Sequence, residues 1–323
     1  MDNTIYKNRR NNLKELLPNN SVLLIPGADL QYRNADSAFP FRQDSSFYYL
    51  SGFCEPSSLI AIVNNKDVIK SIIFVPPKDK LKEIWDGHRS GPVGAVDDFL
   101  FDKAYDNLQI DKILPDILHG HEEVLYPIGK KKGFDQQVID WTTAAGSKDR
   151  HSKSINIIDA TSLIGNMRLI KDEHEINLIR KACDISAEAH IEAMKSVKDG
   201  DNEQQIESMY IHEFSKRGAR FPAYNPIIAG GENACVLHYV ENNQNLKSSD
   251  LLLVDAGCEY QMYAADITRT FPVSGKFSEE QLQIYKIVLD AMNAAIDSVK
   301  EGNNIMQPQE ISEKVITEGL VNI

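Results

Sequence analysis

GARFPAYNPIIAGGENACVLHYVEN (218–242) and DLLLVDAGCEYQMYAADITRTFPVSGKFS (250–278) are the two runs whose reading decides the fold. The second opens on a continuous apolar stretch, Leu251 to Val254, that ends on Asp255. Such a stretch predicts a strand buried on both faces with a carboxylate at its end. Asp266 follows on the returning arm of a hairpin expected around Cys258 to Met262. Ionised carboxylates at the ends of buried strands are costly unless paired or bound to a cation. Two on adjacent strands repel each other, and a shared divalent ion resolves both problems. Spacing alone leaves a plainer arrangement open, in which Asp255 caps the turn before Gly257 and Asp266 pairs with Arg269. Cys258 is either a third ligand or a small strand residue. His238 stands among apolar residues in VLHYV, where a histidine is either a satisfied core side chain or a functional one.

Outward from these runs, FPAYNPIIAGG, CVLHYV, DLLLVDAGCEY and QMYAADITRTFPV are predicted strands. Two helices precede them. Asp172 and Glu175 form a capping box for the first, whose expected buried face carries Ile176, Ile179, Cys183, Ala187, Ile191 and Met194. The second begins at Asp201 with Gln204 as capping partner, buries Ile206, Met209, Tyr210 and Phe214, and stops at Gly218. After the strands, Ser278 and Gln281 cap a helix with Leu282, Tyr285, Val288, Met292, Ile296 and Val299 along one face. The stripes of the two helices before the strands read as core packing. Residues 1–165 differ in character, alternating helical patterns with the runs VLLIP (22–26), SLIAIV (58–63), VIKSIIFVP (68–76), VLYPIG (124–129) and INIIDA (155–160). That alternation predicts an α/β domain with a mixed sheet over 1–168, followed by an α+β domain over 169–323.

Composition narrows the class. Apolar content of 42% and charged content of 25% are those of an ordinary globular protein. The opening MDNTIYKNRRNNLKELLP holds no apolar run suited to a signal peptide, and the longest apolar runs are too short to span a bilayer. A soluble cytoplasmic protein without a membrane partner is expected. A net charge of −12 argues against a nucleic-acid partner, because phosphate binding needs concentrated Lys and Arg. The clusters KKK (130–132) and SKDRHSK (147–153) read as solvated surface. The 4 cysteines are widely spaced without a CxxC pair, which argues against a disulfide framework and a thiolate zinc site.

The two opening runs closely resemble the metal-site region of aminopeptidase P, a family grouped with prolidase, creatinase and methionine aminopeptidase by their pita-bread fold. FRQDSSFYYLSGFCEP (41–56) and EIWDGHRSGP (83–92) are similar to motifs of that family's N-terminal domain, and MRLIKDEHEI (167–176) looks like its domain junction. The resemblance implies an N-terminal α/β domain of the creatinase/aminopeptidase P type and an α+β pita-bread catalytic domain, incomplete here. It implies removal of the N-terminal residue that precedes proline, with a metal-activated water as nucleophile. By the same resemblance Asp255 holds one ion through both oxygens and Asp266 bridges two. His238 contacts the substrate carbonyl or stabilises the tetrahedral intermediate. Trp85 either reaches the substrate site of a neighbouring subunit or packs within its own domain. Two divalent ions are implied, with Mn²⁺ favoured by a carboxylate-rich ligand set.

In the family a histidine and two further glutamates complete that set, at positions beyond TEGLVNI, where this sequence ends. Weak or absent metal binding, no turnover and an exposed apolar face are therefore expected of this chain. The expected partners are peptides with proline in second position and further copies of the chain, as a dimer or tetramer. Two alternatives stand beside this reading: a prolidase-type dipeptidase, and a non-catalytic peptide- or protein-binding module.

Overall fold

Four β-branched runs of the first half of the chain become the middle of one six-stranded sheet. The computed structural model describes residues 3–65, 68–149 and 154–323, so residues 150–153 of the SKDRHSK cluster lie outside the described residues. The chain divides into two compact units, Met1–Lys171 and Asp172–Ile323.

The first unit begins with α1 (Thr4–Asn12), β1 (Ser21–Pro26), β2 (Tyr32–Asn34), β3 (Ser37–Ala38), α2 (Ser45–Ser51), β4 (Leu59–Asn65) and β5 (Val68–Val75). It continues with α3 (Lys80–Asp86), α4 (Gly91–Asp97), β6 (Lys103–Asp106), α5 (Ile110–Leu118), β7 (Glu123–Tyr126), α6 (Phe134–Gly146), β8 (Asn156–Asp159) and α7 (Thr161–Leu169). The sheet order is β6-β5-β4-β1-β7-β8. β1 runs antiparallel to β4 and parallel to β7, so the sheet is mixed. Every residue of β1 is buried, as a strand covered on both faces requires. Leu23 and Ile25 pack with Phe47, Leu50 and Phe53 on one side. Val22 and Leu24 pack with Leu114, Val138 and Trp141 on the other.

The second unit comprises α8 (Glu173–Ser196), α9 (Glu203–Lys216), β9 (Phe221–Pro222), β10 (Ile227–Gly230), β11 (Leu251–Asp255), β12 (Cys258–Tyr260), β13 (Tyr263–Ala264), β14 (Thr268–Pro272), α10 (Glu279–Asp297) and α11 (Gln307–Val321). Two small antiparallel sheets, β10-β11-β14 and β13-β12-β9, share the hairpin that follows β11. The Asp172–Glu175 capping box forms with both reciprocal hydrogen bonds.

Three expectations need correction. The cap of α9 is Asn202 with Gln205, one residue beyond the expected pair, because the Asp201 carboxylate is taken by the Lys198 N–H in the preceding turn. The buried face of α8 is Leu178, Ala182, Ile185, Ala189 and Ala193, while Ile191 and Met194 are exposed. Small residues let this helix lie close to the β12 hairpin, and larger apolar ones are displaced to its flank. β11 is not buried on both faces: Leu252 and Val254 are buried, whereas Leu251, Leu253 and Asp255 are only half-buried. The stripe of α10 stands largely in solvent, with Ala291 alone buried in that helix. No helix among the described residues is long and apolar enough to cross a membrane.

Two polar side chains break the apolar face of α8, and both are fully used. His190 is buried, with Nε2 donating to the Ala256 carbonyl at 3.1 Å and Nδ1 accepting from the Tyr210 hydroxyl at 2.9 Å. Those partners suit the neutral imidazole, and burial lowers the His190 pKa from its usual value. The unfolded chain takes up a proton near pH ~6.5 while the folded one resists it, so stability is complete above that pH and falls as the solution is acidified. Urea unfolding at neutral and mildly acidic pH measures this. His190→Gln, which keeps one donor and one acceptor, is expected to flatten the pH dependence; an unchanged slope would show that another group is responsible.

Candidate metal centre

The site is assembled by α8 gripping a hairpin whose arms meet at a glycine. Ser186 Oγ accepts from the Cys258 N–H at 3.0 Å, and His190, one turn further along the helix, holds the Ala256 carbonyl. Gly257 lies between these two grips. A Cβ placed there would sit 1.9 Å from the Ala265 carbonyl oxygen and 3.1 Å from the Asp266 nitrogen. Only a residue without a side chain lets the two arms approach so closely. On either side the arms are stitched together, Ala256 N–H to Ile267 O at 3.1 Å and Ala265 N–H to Cys258 O at 2.9 Å. Asp255 at the end of β11 and Asp266 between β13 and β14 are thereby brought together.

A third residue joins them. The Ala223 N–H donates to the Gly257 carbonyl at 2.8 Å, which lays the 221–224 segment along the hairpin. Tyr224 then donates its hydroxyl to Asp255 Oδ1 at 2.5 Å, with Asp266 Oδ1 3.3 Å away. One phenol thus spans two carboxylates. Burial, reinforced by hydrogen bonding to Asp255 and by the charges of both aspartates, pushes the Tyr224 pKa far upward, so the hydroxyl remains a donor at neutral pH. Beside the pair a groove of about 370 Å³ runs between the sheet and α10, lined by Leu251, Thr268, Ile284, Tyr285 and Val288 among others. Its lining includes Thr268, the register partner of Asp255, and neither aspartate.

The other candidates fall differently. Asp266 makes no ion pair with Arg269 among the described residues; Arg269 donates instead to the Thr268 carbonyl at 2.7 Å. The Cys258 thiol is buried against the Ala182 carbonyl on α8, which removes it as a ligand. CVLHYV is not a strand. A 3₁₀ turn over Gly231–Cys235 leads into a further turn, and Leu237 is 89% exposed. Local bonds from Val236 N–H to Asn233 O and Tyr239 N–H to Val236 O replace a strand ladder. His238 is exposed on that turn. Trp85 is 88% exposed on α3, a helix with no buried residue, which overturns packing within its own domain.

Asp255 and Asp266 are hard oxygen donors of the kind that bind divalent cations. Their convergence on one small polar atom fits such an ion in chemistry. Among the described residues no group of three or more His, Cys, Asp or Glu is placed to hold a metal ion, so the two aspartates offer a partial coordination sphere.

Residues 177–323 match the metallopeptidase family M24, and residues 6–126 match the aminopeptidase P N-terminal domain. The chain is 41% identical over 318 residues to an Xaa-Pro aminopeptidase of Haemophilus influenzae, across 98% of this chain and 72% of that protein. This chain belongs to the aminopeptidase P family. The solved aminopeptidase PepP of Pseudomonas aeruginosa superposes with a TM-score of 0.97 at 40% identity, covering 100% of this chain and 73% of that one. Zinc-substituted Escherichia coli aminopeptidase P in complex with product superposes with a TM-score of 0.96 at 35% identity, covering 100% and 74%. The two units are accordingly the aminopeptidase P N-terminal domain and M24 pita-bread architecture.

Sequence reasoning misses Tyr224, Ser186 and His190. Tyr224 stands 31 positions before Asp255 with no local pattern linking them. Ser186 and His190 carry a faint signal, polar residues one turn apart on the buried side of an amphipathic helix. Gly257→Ala is expected to cost about 3 kcal/mol or more, because the clash is with backbone that cannot move aside. Denaturant unfolding measures this; a loss well under about 1 kcal/mol, the size of a mild surface change, would mean the arms are free to separate.

Proposed function

We propose that this chain is a metal-dependent Xaa-Pro aminopeptidase, acting on peptides with proline in second position. The observation that carries this reading is the convergence of Asp255 and Asp266 on the Tyr224 hydroxyl, in a chain of this family. Asp255 and Asp266 hold the divalent ions, Mn²⁺ being favoured by an oxygen-rich ligand set. The bound metal supplies a water of lowered pKa and polarises the scissile carbonyl. Tyr224 keeps the two carboxylates aimed at one point and retains its proton throughout. His238, exposed on its turn, donates a hydrogen bond to the substrate carbonyl oxygen. The proline ring has a fixed φ and no N–H, so its subsite selects shape and needs no backbone acceptor.

Trp85 contacts substrate or a neighbouring subunit in a cytoplasmic dimer or tetramer. Its exposure together with that of Leu81 and Ile84 on the same short helix supports such a contact. Trp85→Ala is expected to shift sedimentation toward monomer, and an unaltered profile removes this role.

With two protein carboxylates and otherwise water around each ion, Mn²⁺ is expected to bind this chain weakly, with Kd of roughly 10⁻⁴–10⁻³ M. Asp255→Asn or Asp266→Asn should abolish the heat of binding in calorimetry. Hydrolysis of an Xaa-Pro-Xaa tripeptide by the 323-residue chain should fall far below the ~1–1000 per second of typical enzymes. Whatever turnover remains should disappear in Asp255→Asn, and turnover indifferent to that change overturns the assignment. Cleavage of dipeptides alone would indicate a prolidase. The two-ligand geometry also favours a second reading, a non-catalytic peptide-binding module, which predicts peptide affinity unaffected by metal or by Asp255→Asn.

A further inference from the structure

Between β10 and β11 the chain leaves the sheet at Gly230, turns outward through His238 and returns at Gln244, with no strand to support it. We propose that Glu203, on the first turn of α9, is the positioning residue for His238. Its side chain is 0% exposed, and no ion pair reaches it among the described residues. Both carboxylate oxygens are doubly occupied by donors from this one loop. Oε1 accepts from the Gly230 N–H at 2.9 Å and from Asn233 Nδ2 at 3.0 Å. Oε2 accepts from the Tyr239 hydroxyl at 2.7 Å and from the Gln244 N–H at 2.9 Å. The Glu203 N–H donates in turn to the Gln244 carbonyl at 2.9 Å.

The exit of the loop, its return and the residue next to His238 therefore meet at a single carboxylate. Tyr239 is also the loop's apolar anchor, packed with Ile227 and Ala229. Ile227 is the register partner of Asp255, so the anchor and the aspartate share one face of the sheet. Asn233 donates to the Tyr239 hydroxyl at 3.1 Å as well, closing the network.

An uncompensated carboxylate in the interior costs stability, and apolar packing would hold a merely structural loop more cheaply. What apolar packing lacks is direction. Four donors converging on two oxygens define the loop's path residue by residue, and the helix N-terminus favours the negative charge there. A glutamine would turn an NH₂ group toward two of those donors.

This inference rests on the proposed contact of His238 with substrate, but its test needs neither metal nor substrate. In the intact 323-residue chain, ring relaxation of ¹³C-labelled histidine reports the order of the His238 imidazole, and amide exchange reports the loop. Glu203→Gln is expected to raise exchange at 231–244 about tenfold, the effect of leaving buried donors unpaired. It should lower the order of the His238 ring while that of His190 and the exchange of β11 and β14 stay unchanged. Tyr239→Phe, which removes one donor and keeps the packed ring, should move both readouts in the same direction but less, and it carries the test if Glu203→Gln does not fold. A lower urea midpoint with the His238 ring as ordered as before would overturn the proposal, leaving Glu203 a purely structural group. If the ring loosens in these variants yet His238→Ala leaves peptide binding and turnover intact, positioning stands and the functional reading of His238 fails.

Discussion

Two negative charges held side by side repel, and the second unit is organised around holding Asp255 and Asp266 together despite that. Each element near them removes one freedom. Gly257 lets the hairpin arms close, Ser186 and His190 fasten the backbone on both sides of it, and the Tyr224 hydroxyl gives the two carboxylates a donor in common. Without a cation or that donor, the arrangement would cost Coulomb energy with no return. Geometry of this kind is difficult to explain as packing, because apolar side chains at 255 and 266 would achieve a closer and more stable contact.

Much of this was readable before any coordinates. β-branched runs broken by helical patterns identify the mixed sheet, and the apolar stretch ending at Asp255 identifies the strand beside the site. What could be read was periodic or local: strand runs, the Asp172–Glu175 box, and the turn that returns the chain to Asp266. The family motifs added what periodicity could not, since aminopeptidase P sequences carry long ordered signatures across both units.

The misreadings share a cause. CVLHYV has the composition of a strand, yet Val236, Leu237 and Val240 lie on the surface while Tyr239 is buried, because the backbone around them is directed by buried hydrogen bonds. The stripe of α8 is displaced toward alanines because helix–sheet distance, which one chain segment cannot report, sets how large a side chain fits. Met194 and Ile191 satisfy the three- and four-residue spacing equally well and lose to smaller neighbours. Asn202 displaces Asp201 as a cap because the carboxylate is committed to the turn before it. In each case a tertiary contact chose between two locally adequate options.

Three buried polar groups of the second unit act on the same small region. Ser186, His190 and Glu203 are among its least exposed polar side chains, and each makes one hydrogen bond to a residue within three positions of Asp255 or His238. None of them lies in the segments that carry the family's most recognisable motifs. Buried polarity is expensive wherever it occurs, so its concentration around one edge of one small sheet indicates where directional control matters most. Precision at the candidate site is thus supplied from beneath by α8 and α9, helices whose sequence patterns read as core packing. A description limited to the aspartates and the histidine would leave out the residues that determine where those three side chains stand.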